Sequence, residues 1–211
     1  MCQQCENCPI VEKGFATRRE DGIVLIDMEK AKGHEEIVEM CPYGTVYYNY
    51  DEDMPQKCTF CAHLLDDPDW NYPDGREGVM RCVHSCPDEA LHAYHITPME
   101  MDVMIKEQGL EQYKPETGMK THVYYKNLGM FTKNFIWGGV TKDGDCYENA
   151  TATLYKGKEL VGSVKTNFFG DYKFDCLEDG DYMLKLEVAG EVKEIDVKIE
   201  GKSLNLDYTA F

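Results

Sequence analysis

The chain of 211 residues predicts an α+β fold, a cysteine-rich, loop-rich first half followed by a C-terminal seven-stranded β-sandwich. Three observations predict it. Eight of the ten cysteines fall before residue 90, mostly in short C-x2-C groups. From about residue 131 onward, short apolar-alternating runs recur between turn dipeptides, the pattern of half-buried strands. Hydrophobic residues at 43% and charged ones at 29% are ordinary for a soluble globular chain of a length able to bury a real core.

Cys2, Cys5 and Cys8 follow C-x2-C-x2-C, the spacing with which ferredoxins grip a [4Fe–4S] cluster. A fourth cysteine should follow after three more residues, but Glu12 stands there. Counting back from Cys41-Pro42 with the same spacing gives Ile37, His34 and Ala31 in place of three cysteines. In a two-cluster ferredoxin the fourth cysteine of each run ligates the other run's cluster. The survivors Cys2, Cys5, Cys8 and Cys41 therefore make one complete site. The losses, Glu12, Ala31, His34 and Ile37, make a second that has vanished whole. Thiolates are soft anionic ligands suited to tetrahedral iron, and the proline after Cys41 turns the chain away from the cluster. A zinc knuckle at the same four cysteines is the alternative, but it does not account for the erased repeat.

The net charge of −17 argues against nucleic acid as a partner. No apolar run approaches the roughly 20 residues of a membrane span, and no secretory signal is visible. The C-x2-C grouping favours metal ligation over a disulfide scaffold, which implies a reducing, cytoplasmic setting.

The organisation expected is a ferredoxin-type domain over residues 1–96, a helix and connector over 97–130, and the β-sandwich over 131–211. Arg19-Glu20-Asp21-Gly22 reads as a turn feeding a strand at Ile23–Ile26, and Glu35–Met40 as one or two helical turns delivering Cys41. Thr97-Pro98-Met99-Glu100 specifies a capped helix start, with the helix ending at Gly109. Its methionines Met99, Met101 and Met104 are expected to pack against the neighbouring domain, and residues 110 to about 130 to cross a surface as an ordered connector. Strands are expected at 134–140, 150–155, 159–166, 171–174, 181–188, 192–199 and 203–208, with turns at Asp143-Gly144, Asp179-Gly180 and Ala189-Gly190. Cys146 and Cys176 are expected to be buried thiols, and no catalytic constellation is visible in this region. His34 reads as a polar surface residue, and His63, His84, His92 and His95 as structural or solvent-facing.

A third run, Cys58-x2-Cys61-x20-Cys82-x3-Cys86-Pro87, keeps the order of spacings with an insertion before its third cysteine. By the crossover rule Cys58, Cys61 and Cys82 need a fourth ligand from another run, and Cys86 belongs to that run's cluster. Three explanations stand side by side. The partner run lies upstream of a shortened chain; the four cysteines fold back onto one metal as a second site; or they are empty half-sites. The first is favoured, because the sequence opens one residue before a ligand.

These stretches resemble a known group, the iron–sulfur subunits of molybdopterin oxidoreductases of the dimethyl-sulfoxide-reductase family. The resemblance is carried by Arg19-Glu20-Asp21-Gly22-Ile23-Val24-Leu25-Ile26-Asp27, Cys41-Pro42-Tyr43-Gly44 and Lys57-Cys58-Thr59-Phe60-Cys61-Ala62-His63. Loss of one cluster together with a C-terminal β-sandwich is similar to the transhydroxylase branch. Val123-Tyr124-Tyr125-Lys126-Asn127-Leu128 and Thr166-Asn167-Phe168-Phe169-Gly170 match it too. Two departures stand out: the family's first cysteine run is not in this sequence, and Cys8 lies two residues before the relatives' third ligand, where Ile10 stands.

The resemblance implies an α+β chain, a ferredoxin-like [4Fe–4S] domain followed by a transthyretin/Cna-B-like sandwich. It also implies a large catalytic partner holding molybdenum on two molybdopterin guanine dinucleotides. The present chain would be no enzyme by itself but would relay single electrons to or from that centre. Two other readings remain open: a metal-stapled β-sandwich that acts as a binding module, and a freestanding ferredoxin.

Overall fold

Ligand loops leave little room for regular structure in the first part of the chain. In the computed structural model, which describes residues 1–211, each helix before residue 90 is four residues long: α1 (Pro9–Glu12), α2 (Met28–Ala31), α3 (Ile37–Met40), α4 (Ala62–Leu65) and α5 (Arg81–His84). Helices this short do not persist on propensity alone and depend on caps and packing. Asp27 caps α2, its carboxylate accepting from the amides of Glu29 and Lys30 at 3.2 Å each. Two antiparallel ribbons complete the framework, β1 (Ala16–Arg18) with β2 (Val24–Ile26) and β3 (Val46–Asn49) with β4 (Met54–Lys57). The expected strand after Gly22 and the helical turn before Cys41 are both present.

The chain forms two compact units, Met1–Lys126 and Asn127–Phe211. The core of the first unit is Ile10, Ala16, Val24, Ala31, Ile37, Val46 and Met54. Two of these, Ala31 and Ile37, stand at positions read from the sequence as lost ligands, and both are fully buried. Beyond Ala62 the unit changes character, and residues 63–120 contain no buried side chain. Here lies the longest helix, α6 (Pro98–Gln108), with the expected capping box between Thr97 and Glu100 and Gly109 in the left-handed region at its end. The expected methionine packing is not present. Met99 is 76% exposed and no residue of α6 is buried. Its apolar residues do not form one coherent stripe, so caps rather than a packed face define the helix.

The connector after α6 does more than cross a surface. Residues 118–125 run back along the opening cysteine loop, where the amide of Glu6 donates to the Lys120 carbonyl (2.8 Å) and that of His122 to the Gln3 carbonyl (3.0 Å). The Asn7 carboxamide adds two bonds, to the Gly118 carbonyl and from the Lys120 amide, and Gln3 Nε2 donates to the Tyr125 hydroxyl at 2.8 Å.

In the second unit a short helix, α7 (Gly129–Thr132), precedes nine strands: β5 (Asn134–Lys142), β6 (Asp145–Cys146), β7 (Thr151–Lys156), β8 (Glu159–Lys165), β9 (Asp171–Leu177), β10 (Gly180–Val188), β11 (Glu191–Ile199), β12 (Leu204–Asn205) and β13 (Thr209–Ala210). One sheet has the order β11-β10-β7-β8, and the other is built on β5 with β6, β9, β12 and β13. Along β10 the pleat points Tyr182, Leu184, Leu186 and Val188 inward, all at 5% exposure or less, and turns the residues between them outward. Leu154 and Leu184 from one sheet and Ile136, Val140 and Tyr172 from the other share one core.

Three expectations are corrected in this unit, the first being the seven strands, which are nine because β6 forms beside β5 and the last strand is split. Cys146 and Cys176 are exposed, not buried, and they are unpaired. Along β9, Tyr172 and Phe174 face inward, so alternation would bury Cys176. A register shift opposite Asn134–Ile136 inserts one extra residue, places Cys176 at φ +61°, and turns Leu177 inward at 3% exposure. The last expected strand, 203–208, is two short segments pairing parallel with β5. Between them the Tyr208 ring lies on Gly139, where a Cβ would stand 2.3 Å from it, so the chain lifts off the strand and returns at Thr209.

The β10–β11 turn puts both Ala189 (φ +48°) and Gly190 (φ +89°) in left-handed conformation. Two-residue turns of this kind favour Asn-Gly, and a left-handed alanine costs roughly 1–2 kcal/mol. Ala189→Asn is expected to stabilise the second unit by about 0.5–1 kcal/mol, seen as a higher Tm in thermal unfolding; an unchanged or lower Tm would contradict the strain assignment.

Candidate metal centre

Cys2, Cys5, Cys8 and Cys41 line one cavity of about 350 Å³, its open mouth included, although 33 positions separate the third cysteine from the fourth. Three come from the opening loop. Cys8 is the residue from which α1 starts, with Pro9 at its first position. Cys41 follows α3 directly, in extended conformation. The remaining wall is largely apolar, with Pro9, Ile10, Val24, Pro42 and Val46, and its one charged residue is Lys57.

Burial raises the Cys5 thiol to about 12, with Cys8, Cys2 and Cys41 adding to the effect by charge repulsion. Burial likewise raises Cys2, opposed by the Lys57 ammonium. Thiols so shifted are protonated at neutral pH and ionise only against a cation, so loading this site releases protons.

No three His, Cys, Asp or Glu side chains converge on a single-ion position anywhere in the chain. Four thiolates on one zinc stand about 3.8 Å apart, given Zn–S bonds near 2.3 Å. Four soft thiolates with no carboxylate or imidazole in the cavity wall are a donor set that suits the iron corners of a cluster.

The erased site is filled. Ala31 and Ile37 pack with Ile10, Val24, Val46 and Met54, while Glu12 is exposed. His34 is half-buried, its ring 4.7 Å from that of Phe15 and its Nδ1 2.7 Å from Glu36. Ile10, two residues on, is 1% exposed within this core, and Cys8 is the third thiol that lines the cavity.

The third run is less buried than the first. Cys58, Cys61 and Cys86 are partly exposed and Cys82 fully so. Cys82 lies in α5, and Cys86 Sγ accepts from the Ala90 amide at 3.3 Å. Phe60 and Cys61 are both left-handed, with φ near +53°. Among the histidines of this region, His84 lies between the Trp70 and Tyr72 rings at 5.7 and 5.9 Å, and His95 is 3.5 Å from Glu77.

Sequence reasoning missed two residues. Gln4 sits between the first two cysteines at φ +52° and 1% exposure. Its Oε1 accepts from the Val24 amide at 2.7 Å and its Nε2 donates to the Cys58 carbonyl at 3.4 Å. Lys57 donates to the carbonyls of Val24 and Cys58. Together they tie the opening loop to the start of the third run. The only signal was position, since each adjoins a ligand.

A four-thiol cavity closed by loops from distant parts of the chain defines an iron–sulfur protein. Comparison with known proteins agrees. Residues 1–96 match the family described as a 4Fe-4S dicluster domain. The chain is 45% identical over 209 residues to the pyrogallol hydroxytransferase small subunit of Pelobacter acidigallici, a match covering 98% of this chain and 74% of that one. It is 30% identical to one chain of the sulfite dehydrogenase of Allochromatium vinosum (77% and 69% covered), and 29% identical to one chain of the tetrathionate reductase of Salmonella typhimurium (61% and 50% covered). The chain belongs to the iron–sulfur, electron-transfer subunits of the dimethyl-sulfoxide-reductase family of molybdopterin oxidoreductases. Its cofactors are [4Fe–4S] clusters, and no helix is long and apolar enough to cross a membrane.

Proposed function

We propose that Cys2, Cys5, Cys8 and Cys41 hold one [4Fe–4S] cluster. Cys58, Cys61, Cys82 and Cys86 serve further cluster chemistry, for which the crossover rule requires ligands from another cysteine run. The observation that carries the first assignment is the shared cavity, with three thiols of one loop and one delivered by α3. When bound, the cluster supplies reversible one-electron storage. The chain's own residues hold the thiolates, exclude water with Ile10, Val24 and Val46, and brace the loop from the connector side.

The chain is an accessory subunit with no reaction of its own. It serves a large partner with molybdenum on two molybdopterin guanine dinucleotides, in a transhydroxylase-like enzyme or a related oxidoreductase. Identity over nearly the whole chain to a small subunit of that type supports this. Residues 63–120, which bury nothing within the chain, have the character of a surface that a partner covers. The ferredoxin-type domain occupies 1–96, helix and connector 97–130, and the region 131–211 is a transthyretin/Cna-B-like sandwich, supported by two sheets sharing one core. Ten free cysteines suit a reducing, cytoplasmic site of action.

The test is affinity purification of the tagged chain from its native host under anaerobic conditions. A stoichiometric large chain carrying molybdenum and pterin is expected. Recovery of the chain alone, loaded with iron, would favour a freestanding carrier.

A further inference from the structure

The cluster cavity has one charged wall residue in a chain whose net charge is −17. That residue, Lys57, is half-buried at the end of β4, immediately before Cys58. Its ammonium has no carboxylate partner. Instead it donates to two main-chain carbonyls, Val24 from the cavity wall and Cys58 at 3.1 Å from the next cysteine run. Two bonds from separate segments hold the charge in place, so it is a fixed charge beside the thiols and not a mobile surface lysine.

From this placement we propose that Lys57 is the positioning residue that sets the reduction potential of the cluster held by Cys2, Cys5, Cys8 and Cys41, raising it above the value the acidic chain would otherwise impose. The inference rests on the cluster assignment above. With four thiolates a [4Fe–4S]²⁺ cluster carries a net charge of −2, and uptake of one electron takes it to −3. No bond breaks and no proton moves. A nearby fixed cation stabilises the −3 state more than the −2 state, and net charge and burial are among the levers that set cluster potentials. The other charges of the chain lie outside the cavity wall, where solvent screens them. Through the Val24 and Cys58 carbonyls the same ammonium also holds the cluster wall against the third run.

The experiment is an EPR-monitored redox titration with dithionite as the one-electron donor, on the anaerobically isolated full chain with whatever partner accompanies it. Wild type, Lys57→Met, Lys57→Gln and Lys57→Arg are compared at equal iron and sulfide content. Lys57→Met is expected to favour the oxidised cluster about tenfold, a midpoint lower by about 59 mV for one electron, whereas Lys57→Arg stays near wild type. A wild-type midpoint in loaded Lys57→Met overturns the proposal. So does loss of iron from Lys57→Met and Lys57→Gln while Lys57→Arg loads normally, because the charge then serves assembly and not potential. An iron-free wild-type chain is a different result, and it sinks the cluster assignment itself.

Discussion

Cys41→Ser is expected to abolish the cluster bound by the opening loop. The chain should lose about four irons and the matching sulfide, together with the visible absorbance they confer. Cys41 is the one ligand of the four that does not come from residues 2–8, and it closes the cavity from the α3 side. Its neighbours are already placed without it, because the opening loop is held by the connector through Glu6–Lys120 and His122–Gln3. Loss of Cys41 should therefore empty the site without unfolding the first unit. The control is Cys146→Ser, an exposed thiol in the second unit, which should keep the full iron content. Measurement of iron and acid-labile sulfide per chain, beside far-UV circular dichroism, separates the two outcomes. Unchanged iron in Cys41→Ser would remove Cys41 from the ligand set.

Ile37→Ala should cost about 2–5 kcal/mol of stability in the first unit, the usual range for emptying a fully buried aliphatic position. Ile37 stands where a second cluster's cysteine would be, yet it is 0% exposed and packs in the same core as Ile10, Ala31 and Val24. Apolar burial therefore holds this part of the first unit together, with no thiol at that position. Because Ile10 and Val24 also line the cluster cavity, the void left by Ile37→Ala should loosen the remaining cluster and speed its loss in air. Denaturant unfolding of the anaerobic protein, with iron release followed in parallel, checks both. A loss under about 1 kcal/mol with unchanged iron retention would mean that Ile37 is not a keystone of this core.

Much of this was legible in the sequence because local spacing carried it. The run Cys2, Cys5, Cys8 and the remote Cys41-Pro42 named the four cavity thiols, and alternation along 182–188 named the inward face of β10. The positions of the erased site were also legible, as Glu12, Ala31, His34 and Ile37. What fills it was not, since Ile10, Val24, Val46 and Met54 come from four separate elements. Alternation failed at Cys176 because one inserted residue reverses every side chain that follows, and such a bulge leaves no mark in composition. The strand at 203–208 broke because the Tyr208 ring occupies the space left by a glycine on another strand, a contact that no window of sequence contains. Gln4 and Lys57 were passed over for a related reason. A glutamine and a lysine beside cysteines look like solvated neighbours until the fold turns them onto Val24 and Cys58. The methionines of α6 misled in the opposite direction, apolar by type but left uncovered within the chain.

The most direct test of the cluster assignment is a joint determination of iron, zinc and acid-labile sulfide on the wild-type chain isolated without oxygen. Iron and sulfide are expected in equal amounts, at least about four of each per chain, with a broad absorption near 400 nm that dithionite bleaches. Stoichiometric zinc without sulfide, in a colourless protein, would contradict it.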